Sequence, residues 1–329
     1  MPWTVRAVAI RRCQEIAARY PRRVTADVER IVYAGERVEV GAFRCPVEHP
    51  DFRDAGQIRD HCVLVFPRTA VRIRHAGQRA FTTDATVAVF YNPQQPFVRE
   101  RVDPAGDRCE WFALDTETAA EVAAGLDPAA HAAAPFRFTH GPVDAASYYR
   151  QRALFQTLAR PAPADALEIE EEVLALARRV LAQAYLARRA GFLPPCDEPD
   201  RREHAAVADA RTFLARQFRE PVTLGAVARA VGLSRFRLCH LFRRVCGTTL
   251  HAQREQLRLR AALDALAQGC GDLTRLALEL GYSSHSHFTA NFRRAFGRTP
   301  SQARAAFTPR ATASAATRSA TARSRRRRS

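Results

Sequence analysis

The sequence predicts an α+β protein, with an antiparallel β-barrel and helices over residues 1–192 and an all-α domain over 203–306. Three observations carry this. Residues 25–114 hold short apolar runs, several alternating at period two, between Gly, Pro and Asp turns. Residues 165–190 repeat apolar residues at three- and four-residue steps. The charge divides the chain. Residues 1–199 hold 26 arginines and 26 acids, residues 200–306 hold 18 arginines and 8 acids, and residues 307–329 hold 7 arginines and no acid. The net charge of +17 therefore lies wholly in the last two-fifths of the 329 residues.

The first half reads as strands at Val38–Phe43, His61–Pro67, Val71–Arg74, Val87–Pro93 and Glu110–Leu114. Asp144 opens a helix through Leu158, stopped before Pro161 and Pro163. A second helix runs from Asp165 to Ala190, with acids early (Glu168, Glu170, Glu171, Glu172) and arginines late (Arg178, Arg179, Arg188, Arg189), a polarity that suits the helix dipole. It either covers the barrel or pairs with a second copy. A proline-rich linker is expected at 193–202, and an Arg-rich tail at 307–329 too poor in apolar groups to fold alone.

Composition bounds the function. Hydrophobic residues make up 47% and charged residues 26%, which is ordinary globular chemistry. No apolar run approaches ~18 residues, so no membrane partner is expected. The first residues lack the apolar core of a signal peptide, which points to the cytoplasm. All 51 basic residues are arginine, a sign of codon bias. Bias would spread arginine evenly, however, and would not strip acids from one end, so the basic half points to a polyanion partner. The eight cysteines form no close pair and no zinc spacing.

The basic half repeats one design. Thr223 caps a helix over Leu224–Val231, Gly232 ends it, and Ser234 caps the next helix. There Leu238, Leu241, Phe242 and Val245 make one buried stripe, and arginines line the other side. About 50 residues later Asp272 caps Leu273–Leu280, Gly281 breaks, and Ser283 or Ser284 caps a helix with Phe288, Phe292 and Phe296 on one stripe. A helix over Leu250–Gln268 joins the two units. Helix, glycine turn, then helix with a basic outer face is the helix-turn-helix pattern.

Leu224, Ala228, Gly232-Leu233-Ser234, Leu238, Leu241-Phe242-Arg243 and Gly247-Thr248 open a longer match. It continues through Arg258-Leu259-Arg260-Ala261, Leu276-Ala277, Gly281-Tyr282, His287-Phe288, Phe292-Arg293, Phe296-Gly297 and Thr299-Pro300. With these residues the chain closely resembles the AraC/XylS family of bacterial transcription regulators over about a third of its length. Gln253 departs from the pattern, where the family carries an aromatic residue, and is expected to loosen the connecting helix. The resemblance implies two recognition helices in successive major grooves and a cupin-like barrel in front, which 25–114 is similar to. It implies Phe236, Arg237, Cys239, His240, His285, Ser286 and Thr289 as base-contact candidates, with Arg237 suited to either role. Arg243, Arg244, Arg293 and Arg294 are phosphate-contact candidates.

The expected function is therefore sequence-specific transcription regulation, with double-stranded DNA at a promoter or operator, RNA polymerase, a small-molecule effector and a second copy of the chain as partners. No cofactor and no metal is needed. His285-Ser286-His287 is not a ligand pair, because i and i+2 side chains on a helix do not face each other. The barrel lacks the His-x-His with a nearby Glu of metal-binding cupin enzymes, and no phosphate loop or nucleophile elbow is present. A non-enzyme is expected. Phe66, Phe90, Tyr91 and Trp111 fit a core better than an effector pocket. The alternatives are a nucleoid-type protein coating DNA without preference, and an enzyme with the barrel as its catalytic domain.

Overall fold

The computed structural model describes residues 28–53, 56–58, 60–160, 165–191 and 201–308. The expected linker lies outside these except for Arg201 and Arg202, which already belong to a helix, and the Arg325–Arg328 stretch of the tail lies outside them too. The order of elements is β1 (Glu29–Ala34), β2 (Val38–Cys45), α1 (Pro50–Arg53), β3 (Gly56–Gln57), β4 (Cys62–Pro67), β5 (Val71–His75), β6 (Phe81–Thr83), β7 (Val87–Tyr91), β8 (Pro96–Arg101) and β9 (Asp107–Leu114). Then come α2 (Thr116–Ala124), β10 (His140–Pro142), α3 (Ala145–Leu158) and α4 (Ala166–Arg189). The C-terminal half holds α5 (Arg201–Gln217), α6 (Leu224–Ala230), α7 (Arg235–Cys246), α8 (Leu250–Ala267), α9 (Leu273–Glu279), α10 (His285–Phe296) and α11 (Pro300–Phe307).

The α+β class stands, but the barrel is not closed. The strands form a six-stranded sheet, β1-β2-β9-β4-β7-β10, and a four-stranded sheet, β3-β8-β5-β6, with every pairing antiparallel. Alternation along the strands explains the layering. Leu64 and Phe66 of β4, Phe90 of β7, and Phe112 and Leu114 of β9 face the helices α3 and α4. Their neighbours Val63, Tyr91, Trp111 and Ala113 face the smaller sheet. The four aromatics considered for a pocket thus divide between opposite faces of one sheet and serve as core. The edge strand β10 is covered by α4 and lies so close that a Cβ on Gly141 would meet the Ala184 Cβ at 2.5 Å.

Asp144 and Asp165 cap α3 and α4 as the sequence predicts, accepting from Ser147 N at 2.6 Å and Leu167 N at 2.8 Å. The buried face of α4 (Ile169, Val173, Leu176, Val180 and Leu181) packs into the core. Leu167 and Leu186 of the same helix stay exposed.

The two halves share one core. The cluster beneath the six-stranded sheet runs on through α3 and α4 to Leu259, Leu263, Leu276, Phe288, Phe292 and Phe307. The first helix pair has its own cluster, built from Val207, Leu214, Val227, Leu238, Leu241 and Phe242. Buried charges complete the seam. Glu110 of β9 is paired with Arg68 and Arg152, and Gln151 donates to it. Asp264 of α8 accepts from Arg68 Nη1 at 3.0 Å and Tyr148 Oη at 3.1 Å, and lies 3.1 Å from Arg152 Nε. Burial alone would raise the Glu110 carboxyl, but Arg68 and Arg152 outweigh it and hold it below the usual carboxylate range.

Candidate nucleic-acid interface

The two helix pairs are built alike from local signals. Thr223 accepts from Ala226 N at 3.2 Å at the start of α6, and Asp272 accepts from Arg275 N at 2.9 Å at the start of α9. Ser234 and Ser284 cap α7 and α10, accepting from Arg237 N at 3.2 Å and His287 N at 3.1 Å. The choice between Ser283 and Ser284 thus falls to Ser284. Gly232 and Gly281 turn the chain with φ of 67° and 78°, a region costly for residues with a Cβ. Both second helices end on a left-handed glycine, Gly247 and Gly297.

Burial then sorts the faces. Leu238, Leu241 and Phe242 anchor α7, and Phe288, Phe292 and Phe296 anchor α10. On the outer side of α7, Phe236 is 85% exposed, an extreme value for a phenylalanine in a folded domain. It lies parallel to His240 at 6.5 Å between ring centroids. Cys239, His240 and Arg243 are exposed with it. On α10, His285, Ser286, Arg293 and Arg294 are exposed, with Arg294 donating to Asn291 at 3.1 Å.

Three predicted site residues sit differently from the rest. Thr289 is half-buried, and its Oγ1 is enclosed without a hydrogen-bond partner. Arg237 and Arg244 lie along the edge of α7 that faces α5, both paired with Glu203. Sequence reasoning missed Glu203, which stands 34 and 41 residues away from them. His287, set aside in the sequence as a metal ligand, is exposed, and its ring meets Tyr282 edge-on.

Gln253 does not loosen α8. It is 3% exposed and donates to Thr86 Oγ1 at 2.9 Å and Asp84 Oδ2 at 3.3 Å. Arg211 of α5 pairs with the same Asp84 at 2.8 Å. An amide thus bridges to the β6–β7 connection where an aromatic ring could only pack. Beside it opens a cavity of about 330 Å³ between the halves, lined by Thr86, Val143, Gln183, Leu186, Arg211 and Gln253 among others. Among the described residues, no group of three or more His, Cys, Asp or Glu side chains could hold a metal ion.

Two capped helix pairs with outward basic faces define a double helix-turn-helix module. Residues 227–306 match the family model of a helix-turn-helix domain. The regulatory protein SoxS of Escherichia coli K12 is 33% identical over 98 residues, covering 30% of this chain and 92% of SoxS. The virulence regulon transcriptional activator VirF of Yersinia enterocolitica is 29% identical over 167 residues, covering 51% of this chain and 58% of VirF. The chain thus spans less than two-thirds of that relative's length. A solved structure described as a transcriptional regulator with an AraC-type DNA-binding domain, from Chromobacterium violaceum, is 31% identical with a TM-score of 0.30, covering 31% of this chain and 90% of that one. The chain belongs to the AraC family of transcription regulators. The relatives it matches are named as regulators, in keeping with the non-enzyme expected from the sequence.

Proposed function

We propose that this chain is a sequence-specific transcription regulator whose α7 and α10 enter successive major grooves of promoter DNA. The observation that carries this is the duplication: two helices with the same caps, bends and buried stripes, each presenting an arginine-bearing face to solvent. Successive grooves on one face lie roughly 34–36 Å or about 10 bp apart. Phe236, Cys239, His240, His285 and Ser286 are the base-edge residues in this reading. Arg243, Arg293 and Arg294 hold phosphates, which position the protein without reading sequence. Thr289 leaves the base-reading set, because an enclosed hydroxyl cannot reach a base edge.

The remaining partners follow from the same arrangement. A small effector in the cavity beside Gln253 touches both halves, and it shifts regulation to the extent that it binds one arrangement more tightly than another. Leu167, exposed near the start of α4 and away from the cavity, offers a contact for a second copy of the chain. RNA polymerase is the partner through which a promoter-bound regulator acts. No helix among the described residues is long and apolar enough to cross a membrane, and the proposed site of action is the nucleoid in the cytoplasm.

The test is retention of sheared genomic DNA by the full-length protein at two salt concentrations, followed by sequencing. A few sharp peaks sharing a bipartite motif are expected. Broad retention that vanishes at higher salt would replace this reading with non-specific DNA coating. Arg243→Ala or Arg293→Ala should weaken binding to all sequences and flatten the logarithmic salt slope by about 0.9 each.

A further inference from the structure

The side chain of Glu203, near the start of α5, is only 17% exposed and lies against the edge of α7. Its Oε1 accepts from Arg237 Nη2 at 2.7 Å, and its Oε2 accepts from Arg244 Nη2. The two arginines are seven residues apart, two helical turns, and so share one edge. Their side chains remain 62% and 55% exposed. One carboxylate thus spans two guanidinium groups with its two oxygens, much as a phosphate would. Helix α7 carries four arginines and no acid, so this contact takes half of its cationic groups. The carboxylate is planted by its half-buried position, whereas the arginines are long and solvated.

We infer that Glu203 is a positioning residue of the DNA interface that withholds Arg237 and Arg244 from the DNA backbone, leaving Arg235 and Arg243 as the arginines of α7 outside this contact, with Arg243 on the outer face holding phosphate. The inference rests on the reading of α7 as a DNA-facing helix. Its physical basis is an even exchange. Leaving a carboxylate to reach a phosphate replaces one anion with another, so the swap yields little for affinity. The carboxylate thereby lowers the phosphate count of the first unit and moves discrimination toward the base-facing Phe236, Cys239 and His240. Removing its charge while keeping its shape takes away the carboxylate that both arginines share.

The experiment measures binding of the full-length chain to a mixed-sequence DNA duplex across a salt series, for the wild type, Glu203→Gln, Arg243→Ala, the pair Arg237→Ala and Arg244→Ala, and the triple variant combining that pair with Glu203→Gln. Glu203→Gln is expected to tighten binding and to steepen the logarithmic salt slope by between about one and two units, since each added phosphate contact contributes about 0.9. In the background lacking Arg237 and Arg244 the same substitution is expected to leave the slope unchanged. A merely structural role for Glu203 would move the melting temperature and not the slope. If Glu203→Gln leaves the slope at the wild-type value while Arg243→Ala lowers it, the withholding role is wrong and α7 still faces DNA. If Glu203→Gln steepens the slope equally in both backgrounds, the effect is diffuse charge and the inference falls. A wild type that does not bind the duplex, or is indifferent to Arg243→Ala, overturns the DNA-facing reading of α7 and this inference with it.

Discussion

His75 has no exposed surface. Its ring lies 4.6 Å from that of Tyr91 and 5.9 Å from that of Phe81, and Nδ1 is 3.0 Å from Gln95 Nε2. Burial pushes its pKa down to about 4. His140, stacked on Phe81 at 4.0 Å, is pushed down to about 3 by burial and then by Arg211 and His75, with Asp84 opposing. Both rings are neutral when folded and gain a proton more readily when the chain unfolds. Stability from His75 is therefore complete above about pH 6.5 and is lost as the pH falls toward 4, at about 1.4 kcal/mol per pH unit. Melting temperature against pH should fall through that window, and His75→Gln should flatten the fall; an equally steep profile in the variant would mean other groups govern it. Gln253 shows how far a single residue is legible. The sequence marks it as a departure from the family pattern, but a polar residue at a packing position reads as a defect until Thr86 and Asp84 are found against it.

At the scale of elements, the glycine bends separate two physical roles. Gly297 has φ of 72° and open space within 4 Å of where a Cβ would stand, so Gly297→Ala bears only left-handed strain, ~1 kcal/mol. Gly281 has φ of 78° and is also crowded: a Cβ there would meet the Arg219 carbonyl oxygen at 2.3 Å and Arg258 Nη2 at 2.3 Å. Gly281→Ala should therefore cost clearly more, ~3 kcal/mol, in denaturant unfolding. Equal losses at the two positions would show that the backbone contact relaxes freely. Elements with strong local signals were readable: β2, β4, β5, β7 and β9 with their apolar runs, and α3, α4 and α6 through α10 with their caps and stripes. The strands β1, β3, β6, β8 and β10 were not. Several are short or lie at sheet edges, and Pro96–Arg101 and His140–Pro142 carry no clear alternation. Their strand state comes from a partner already in place, such as β7 beside β10. The same limit explains the barrel expectation: alternation reveals strands and faces, while closure depends on which edges pair.

Across the whole molecule, the shared core makes the second helix-turn-helix unit part of the N-terminal body, with Tyr149 of α3 facing Phe296 and Phe307. The first unit keeps its own core and joins the body through a small apolar contact of Ala215 with Ala70 and Val102 and through polar contacts: Arg211 and Gln253 to Asp84, Thr212 to Thr82, and Arg216 to the Val102 carbonyl. Tryptophan fluorescence, whose sources Trp3 and Trp111 both lie in the first half, should therefore melt together with the helical circular dichroism signal. Glu110→Gln should lower both transitions by less than the roughly 3–5 kcal/mol of a fully orphaned buried charge, since Arg68 and Arg152 lose one of their two carboxylates and keep Asp264. Separate transitions would show that the seam does not couple the halves. The helix caps, glycine turns and apolar stripes were in the sequence because each acts across a few neighbouring residues. The pairing of Glu203 with Arg237, of Glu110 with Arg68 and of Asp264 with Arg68 was not, because those partners stand 34, 42 and 196 residues apart. A charge in an arginine-rich chain has many candidate partners, and only the folded backbone brings one of them within reach.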